Sequence, residues 1–298
     1  MTIDRISYHD WPESILLSNC VVEAIVVPAL GRVMQFRFAG DETGPFWENP
    51  ELHGQLPDAH TNGWLNFGGD KAWPAPQTEW EQHTGQSWPP PSAFDSKPFH
   101  ASVADEKVVL VSEVDPHYGV RVVRHIKLLA KSTQLAITTE FQKHEGVDVE
   151  ISVWVITQLA EPDRVFVLLP GNSHFPNGYQ QQRGPSPTDL RRDGRLLSLR
   201  RDPREYVKIG TEGTSMLWMN QRMALLICTE ETAGVYPDGG SRTEVYTNPN
   251  PHCYVELETT GPLATLAAGA RISRTNRYTL VHRSTPDCML EARRVFRI

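Results

Sequence analysis

Thirteen short segments rich in Val, Ile, Thr and aromatic residues constrain this chain more than any other feature: 21–27, 33–38, 107–113, 120–129, 134–142, 148–158, 165–169, 206–209, 215–219, 224–229, 243–247, 254–259 and 277–282. Turn residues stand between them, as in Pro28-Ala29-Leu30-Gly31, Asp115-Pro116-His117-Tyr118-Gly119, Lys131-Ser132-Thr133 and His144-Glu145-Gly146. Almost nothing repeats with the 3.6-residue period of a surface helix. The pattern predicts an all-β sandwich of antiparallel sheets. Two stretches break the rhythm. Residues 41–100 hold most of the tryptophans and many prolines, and residues 170–205 are first Gly- and Pro-rich, then Arg-rich. Both exceed an idle connection. With no internal repeat or linker, residues 1–298 read as one domain with long decorated loops.

Charge narrows the function classes. A net charge of −7 argues against a binder of nucleic-acid backbone and suits a small, locally recognised ligand. Asp4, Arg5, His9, Asp10 and Glu13 deny the start an apolar centre of signal-peptide type, and no apolar run approaches a membrane span. Cys20, Cys228, Cys253 and Cys288 are scattered without a C-x-x-C pair, which suits reduced thiols in a cytoplasm. His9, His53, His60, His83, His100, His117, His174 and His282 lack ligand spacing, so no metal site is expected. No G-x-S-x-G elbow or phosphate-binding glycine loop is present.

The segment from Asn66 to Gln77, closed by Trp80, reads as a shaped loop. Gly68 and Gly69 permit backbone angles closed to other residues, while Pro74 and Pro76 fix φ and extend their predecessors. Asp70, Lys71, Asn66 and Gln77 supply polar heads between the flat faces of Trp73 and Trp80, as a pocket for a polyhydroxylated ligand requires. Asp70 and Lys71 either clamp a substrate or neutralise each other.

Two later strands carry carboxylates. Alternation puts Tyr254, Glu256 and Glu258 on one face. Two acids so spaced disfavour each other's ionisation when partly buried, and one then has a pKa suited to proton transfer; exposed, they are ordinary acids. Glu244, Tyr246 and Asn248 likewise share a face, either as an acid, a stacking ring and an amide for a sugar or as a plain solvated surface. His125 shares a face with Arg121, Val123 and Lys127, pointing either into a polar cleft or to solvent.

The run from Val22 to Phe36 resembles the first hairpin of galactose mutarotase-like proteins. Leu257-Glu258-Thr259, with Leu266-Ala267-Ala268-Gly269 beyond it, is similar to their late Leu-Glu-Thr strand and the turn that follows. Gly68-Gly69-Asp70-Lys71-Ala72-Trp73-Pro74-Ala75-Pro76-Gln77 and Tyr236-Pro237-Asp238-Gly239-Gly240 resemble a narrower branch, the DUF4380 proteins. The resemblance implies a β-supersandwich whose concave sheet binds a small carbohydrate, with no cofactor required. It implies aldose 1-epimerase-like chemistry with Glu258 as general base. It also places Trp154, in Ile151-Ser152-Val153-Trp154-Val155-Ile156-Thr157-Gln158-Leu159, where the family carries its catalytic histidine. Tryptophan cannot protonate a sugar. Glu256, Asp70, Lys71 and His125 therefore compete for the acid and clamp roles. Trp73, Trp80, Trp154 and Tyr246 are expected to wall the ligand, and Asn66, Gln77, Gln158, Glu244 and Asn248 to hydrogen-bond it. A glycosidic-bond lyase or hydrolase using the Glu256/Glu258 pair, and a sugar-binding protein without turnover, stay open beside the epimerase. Oligomeric state is not encoded in any of these features.

Overall fold

The computed structural model describes residues 1–57, 64–187 and 189–298; His60 lies outside them. Two large antiparallel sheets face each other. The first, of eleven strands, runs Thr2–Tyr8, Trp11–Ser18, Val22–Val27, Arg32–Phe38, Asp70–Ala75, Val149–Ala160, Tyr254–Thr260, Thr243–Thr247, Val207–Thr211, Gln180–Arg183, with Ala264–Leu266 also paired to Val149–Ala160. The second, of ten, runs Arg191–Asp193, Leu196–Leu199, Arg164–Leu168, Ser215–Met219, Met223–Thr229, Arg271–His282, Gln134–Lys143, Val120–Leu128, Lys107–Val114, His100–Ala104.

Period-2 alternation builds the core between them. Val153, Val155, Val255 and Leu257 of the first sheet pack in one buried cluster with Ile126, Leu135, Ile137 and Leu280 of the second. Each such side chain contributes about 1.5–3 kcal/mol when fully buried. The helix Cys288–Phe296, capped by Asp287, belongs to a separate cluster with Phe166, Leu217 and Met219 on the far face of the second sheet.

The segment read as a loop is in part a strand. Asp70–Ala75 is buried throughout and pairs with Ser152–Thr157 of its neighbour. On its other side it touches Arg32–Phe38 only through Val33 and Asp70, so beyond Asp70 that flank is a free edge. A proline on a free edge removes no ladder bond, which is why Pro74 fits there. Gly68 and Gly69 do shape the approach, with φ of 94° and 73°. A Cβ on Gly68 would meet the Trp47 carbonyl oxygen at 2.1 Å, so glycine is required.

Candidate functional site

Strand register assembles the site. Across the first sheet Lys71 stands opposite Ile156, Ile156 opposite Glu258, Glu258 opposite Glu244, and Glu244 opposite Gly210. One step along, Gln158, Glu256, Tyr246 and Lys208 make the next row, and Trp73 and Trp154 face each other on the other side. All of these project from the outer face, away from the second sheet, because alternate residues share a face.

Lys208 bridges two acids. Its ammonium lies 2.9 Å from Glu258 Oε2 and 2.7 Å from Glu244 Oε2, and 4.7 Å from the centre of the Trp154 ring. Burial alone would lower the Lys208 pKa, but the Glu244 and Glu258 charges and hydrogen bonds carry it upward. Trp154 Nε1 donates to Glu258 Oε2 at 2.6 Å, and Gln182 Nε2 donates to Glu244 Oε1 at 2.6 Å. Among the described residues Glu258 Oε1 is buried without a hydrogen-bond partner. Burial raises the Glu258 pKa well above its usual value; Lys208 opposes this, while Glu244 and Glu256 reinforce it. Asp238, in the Asp238–Gly240 turn, is raised to about 6, by burial and then by Glu244. Its charge therefore acts on the same cluster.

Lys71 occupies a different environment on the same face. Its ammonium lies 4.9 Å from the centre of the Trp73 ring and 5.8 Å from that of Trp64, with Glu256 Oε1 at 4.0 Å. It is 1% exposed, and among the described residues its nitrogen has no hydrogen-bond partner. Burial lowers its pKa to about 8; Glu256 opposes this and Arg32 adds to it. Asp95 sets the walls of this cage. Its carboxylate accepts from Trp73 Nε1 at 2.9 Å, Trp64 Nε1 at 2.8 Å and Arg32 Nη2 at 2.7 Å. Arg32 Nη1 in turn donates to the Gly68 carbonyl at 2.9 Å. A cleft of about 280 Å³ shares Trp64 and Asp95 with this wall, but none of the site carboxylates lines it.

The structure sorts the expected site residues. Glu258, Glu256, Lys71, Trp73, Trp154, Gln158, Glu244 and Tyr246 share the outer face. Gln158 Nε2 donates to Glu256 Oε1 at 2.9 Å. Tyr254 shares that face, with the Asn66 and Gln158 side chains near its hydroxyl. Trp80 is buried behind Trp73, its Nε1 donating to the Pro74 carbonyl at 2.8 Å. Asn248 accepts from Tyr246 OH at 3.0 Å and donates to the His252 carbonyl at 2.8 Å, which closes a turn. Gln77 is exposed in the turn Gln77–Glu79.

Two expectations need correction. Asp70 does not share the face of Lys71. As the preceding residue on the same strand it points between the sheets, paired with Arg124 and accepting from Thr157 Oγ1 at 2.7 Å and Tyr278 OH at 2.6 Å. His125 lies on Val120–Leu128 of the second sheet, and since its neighbour Arg124 points inward to Asp70, His125 points outward, away from the carboxylates. Sequence reasoning missed Lys208, Asp95, Arg32 and Trp64. Lys208 did carry a signal, a lone cation alternating with Val207 and Ile209; Asp95 carried none.

No family model and no curated protein matches the sequence. Solved structures match its architecture. A galactose mutarotase-like protein from Lactobacillus casei ATCC 334 superposes with a TM-score of 0.63 at 12% identity, over 90% of this chain and 100% of that one. The chain has the galactose mutarotase-like fold. A galactose mutarotase-like protein from Clostridium acetobutylicum gives a TM-score of 0.57 at 8% identity, over 95% and 99% of the two chains. A galactose mutarotase related enzyme from Lactobacillus acidophilus gives 0.55 at 11%, over 92% and 98%. At such identities the likeness is one of fold.

Proposed function

We propose that this protein binds a small carbohydrate on the outer face of the eleven-stranded sheet and transfers protons at its anomeric centre. Glu258 Oε1 takes the proton of the anomeric hydroxyl while the Lys71 ammonium gives one to the ring oxygen. The bond between that oxygen and the anomeric carbon breaks, leaving an open-chain aldehyde. Reclosure on the other face moves both protons back, from Glu258 to the aldehyde oxygen and from the attacking hydroxyl to Lys71, and inverts the anomer. Lys71 and Glu258 stand two strands apart in one row, about 10 Å between Cα atoms, which long side chains span around a pyranose. In this reading residues 1–298 act as one carbohydrate-binding unit in the cytoplasm. Lys71 and Asp238, from the two segments that resemble the DUF4380 branch, act on the same face.

The observation that carries the reading is the pair of buried, incompletely bonded groups with opposed shifts. The Glu258 pKa is raised and that of Lys71 is lowered to about 8, so each moves toward the neutral pH at which proton transfer works best. The test is anomeric exchange by NMR across a panel of sugars. Glu258→Gln is expected to slow exchange by about 10²–10⁴-fold. Exchange no faster than buffer for every sugar, alongside measurable binding, would reject the epimerase. That outcome would leave a sugar-binding protein, a reading favoured by the engagement of Glu258 Oε2 with Trp154 and Lys208. Release of reducing ends or an unsaturated product from oligosaccharides would instead point to the hydrolase or lyase.

A further inference from the structure

Away from the sugar face, three side chains from separate segments converge. His9 occupies the two-residue turn between Thr2–Tyr8 and Trp11–Ser18, and Glu48 lies on a segment bridged to Gly68. His53 closes the turn Pro50–Leu52. One donor atom from each lies within 4.8 Å of the other two, and His9 Nε2 is 3.8 Å from Glu48 Oε2. We propose that His9, Glu48 and His53 form a binding site for a first-row divalent transition ion of the zinc type. The expectation of no metal site came from the lack of ligand spacing along the chain, and folding supplies the convergence instead.

Two buried atoms without partners point to a ligand. Among the described residues Glu48 Oε2 and His53 Nε2 are buried without hydrogen-bond partners. Glu48 Oε1, by contrast, accepts from Tyr8 OH at 2.7 Å and Gln35 Nε2 at 2.9 Å, so the carboxylate is oriented with its vacant oxygen toward the imidazoles. Such outer partners are what fix a ligating carboxylate. The turn that carries His9 is also unusual. His9 and Asp10 both have positive φ, 45° and 64°, where a two-residue hairpin ordinarily uses Asn-Gly. Two non-glycine residues held there store backbone strain that the surrounding structure must offset.

The chemistry selects the ion. Two imidazole nitrogens and one carboxylate oxygen suit zinc and its neighbours rather than magnesium or calcium. Bond lengths of about 2.0–2.2 Å in a tetrahedral site require donors roughly 3.3–3.5 Å apart, so the cluster must contract slightly. The His9 and His53 rings stack at 3.9 Å and 9°, which leaves their lone pairs parallel. One ring must therefore swing, and the His9 side chain, 41% exposed, has the room. An ion held here would tie together the hairpin turn, the Trp47-Glu48 segment and the turn after Pro50. Trp47 packs 4.6 Å from Tyr254, so the tie would also stiffen one wall of the sugar face.

Calorimetric titration of the full chain with zinc, with thermal unfolding alongside, tests this. Wild type is expected to bind one zinc and to unfold at temperatures that rise with zinc concentration. Magnesium should do neither, and cobalt should give the visible bands of tetrahedral coordination. Glu48→Gln should weaken zinc binding by about 10-fold or more. His9→Ala should do the same, and its zinc-free melting temperature, read alongside, separates lost ligation from a lost fold. No saturable zinc binding by wild type, or binding by His9→Ala as tight as wild type, would overturn the proposal.

Discussion

Asp70 and Lys71 are adjacent in sequence and both fully buried, yet their surroundings differ completely. Asp70 faces the interior, where Arg124, Thr157 and Tyr278 all bond its carboxylate and Arg124 Nη1 also donates to its carbonyl at 2.9 Å. Lys71 faces outward into a tryptophan cage, with a carboxylate at 4.0 Å and no hydrogen bond among the described residues. A buried charge with every partner in place rigidifies a core. A buried charge left short of partners costs stability, and such groups cluster at functional sites. The difference separates a bolt between the sheets from the group to which the proposed function gives the ring-oxygen proton, although a single peptide bond joins them.

Removing Arg124 tests the contrast most severely. Arg124→Met leaves the Asp70 carboxylate buried without its cation, so the protein should lose about 3–5 kcal/mol in denaturant unfolding. Sugar affinity per folded molecule should be retained. Lys71→Met should behave in the opposite way. Anomeric exchange should fall about 10²-fold, while stability holds or rises because an underpaired ammonium is replaced by an apolar chain of similar length. If Lys71→Met unfolds the protein as Arg124→Met does, both residues are structural and the contrast fails.

The same pair explains what could be read in advance. That Glu256 and Glu258 share a face follows from alternation within one strand, so it was legible locally. Which face Asp70 takes also follows from alternation, but Pro74 and Pro76 disguised the strand, because a proline argues against a paired strand unless one flank is free. Thr2–Tyr8 and Trp11–Ser18 were missed for a related reason: charged residues and Pro12 dilute their β-pattern, and their turn is His9-Asp10 instead of Asn-Gly. Lys208 meets Glu258 across 50 positions through the register of three strands, which no local pattern encodes. Asp95 reaches Trp64, Trp73 and Arg32 from a short helix after a long irregular stretch, so its role exists only in three dimensions.

The smallest expected effect lies in pH, and its two readouts run in opposite directions. The folded pKa of Lys71 is depressed, to about 8 against 10.5 in the open chain, chiefly by burial. Below about 8 both states hold the proton and the folded protein carries the whole cost of the buried ammonium. Between 8 and 10.5 the unfolded chain holds a proton that the folded one has shed, so this site's contribution to stability rises with pH across that window. From about pH 7.5 to about pH 8.5 the gain is roughly 0.7 kcal/mol, visible as a narrowing stability gap between wild type and Lys71→Met. Exchange activity should fall about threefold over the same interval, because the acid form is being lost. Lys71→Arg sharpens the point, since a guanidinium keeps the charge but does not give up its proton in this range. That variant should bind sugar without the wild-type rate. An alkaline limb that survives unchanged in Lys71→Met would mean that the proton reaching the ring oxygen comes from another group, and Lys71 would then be left as a clamp.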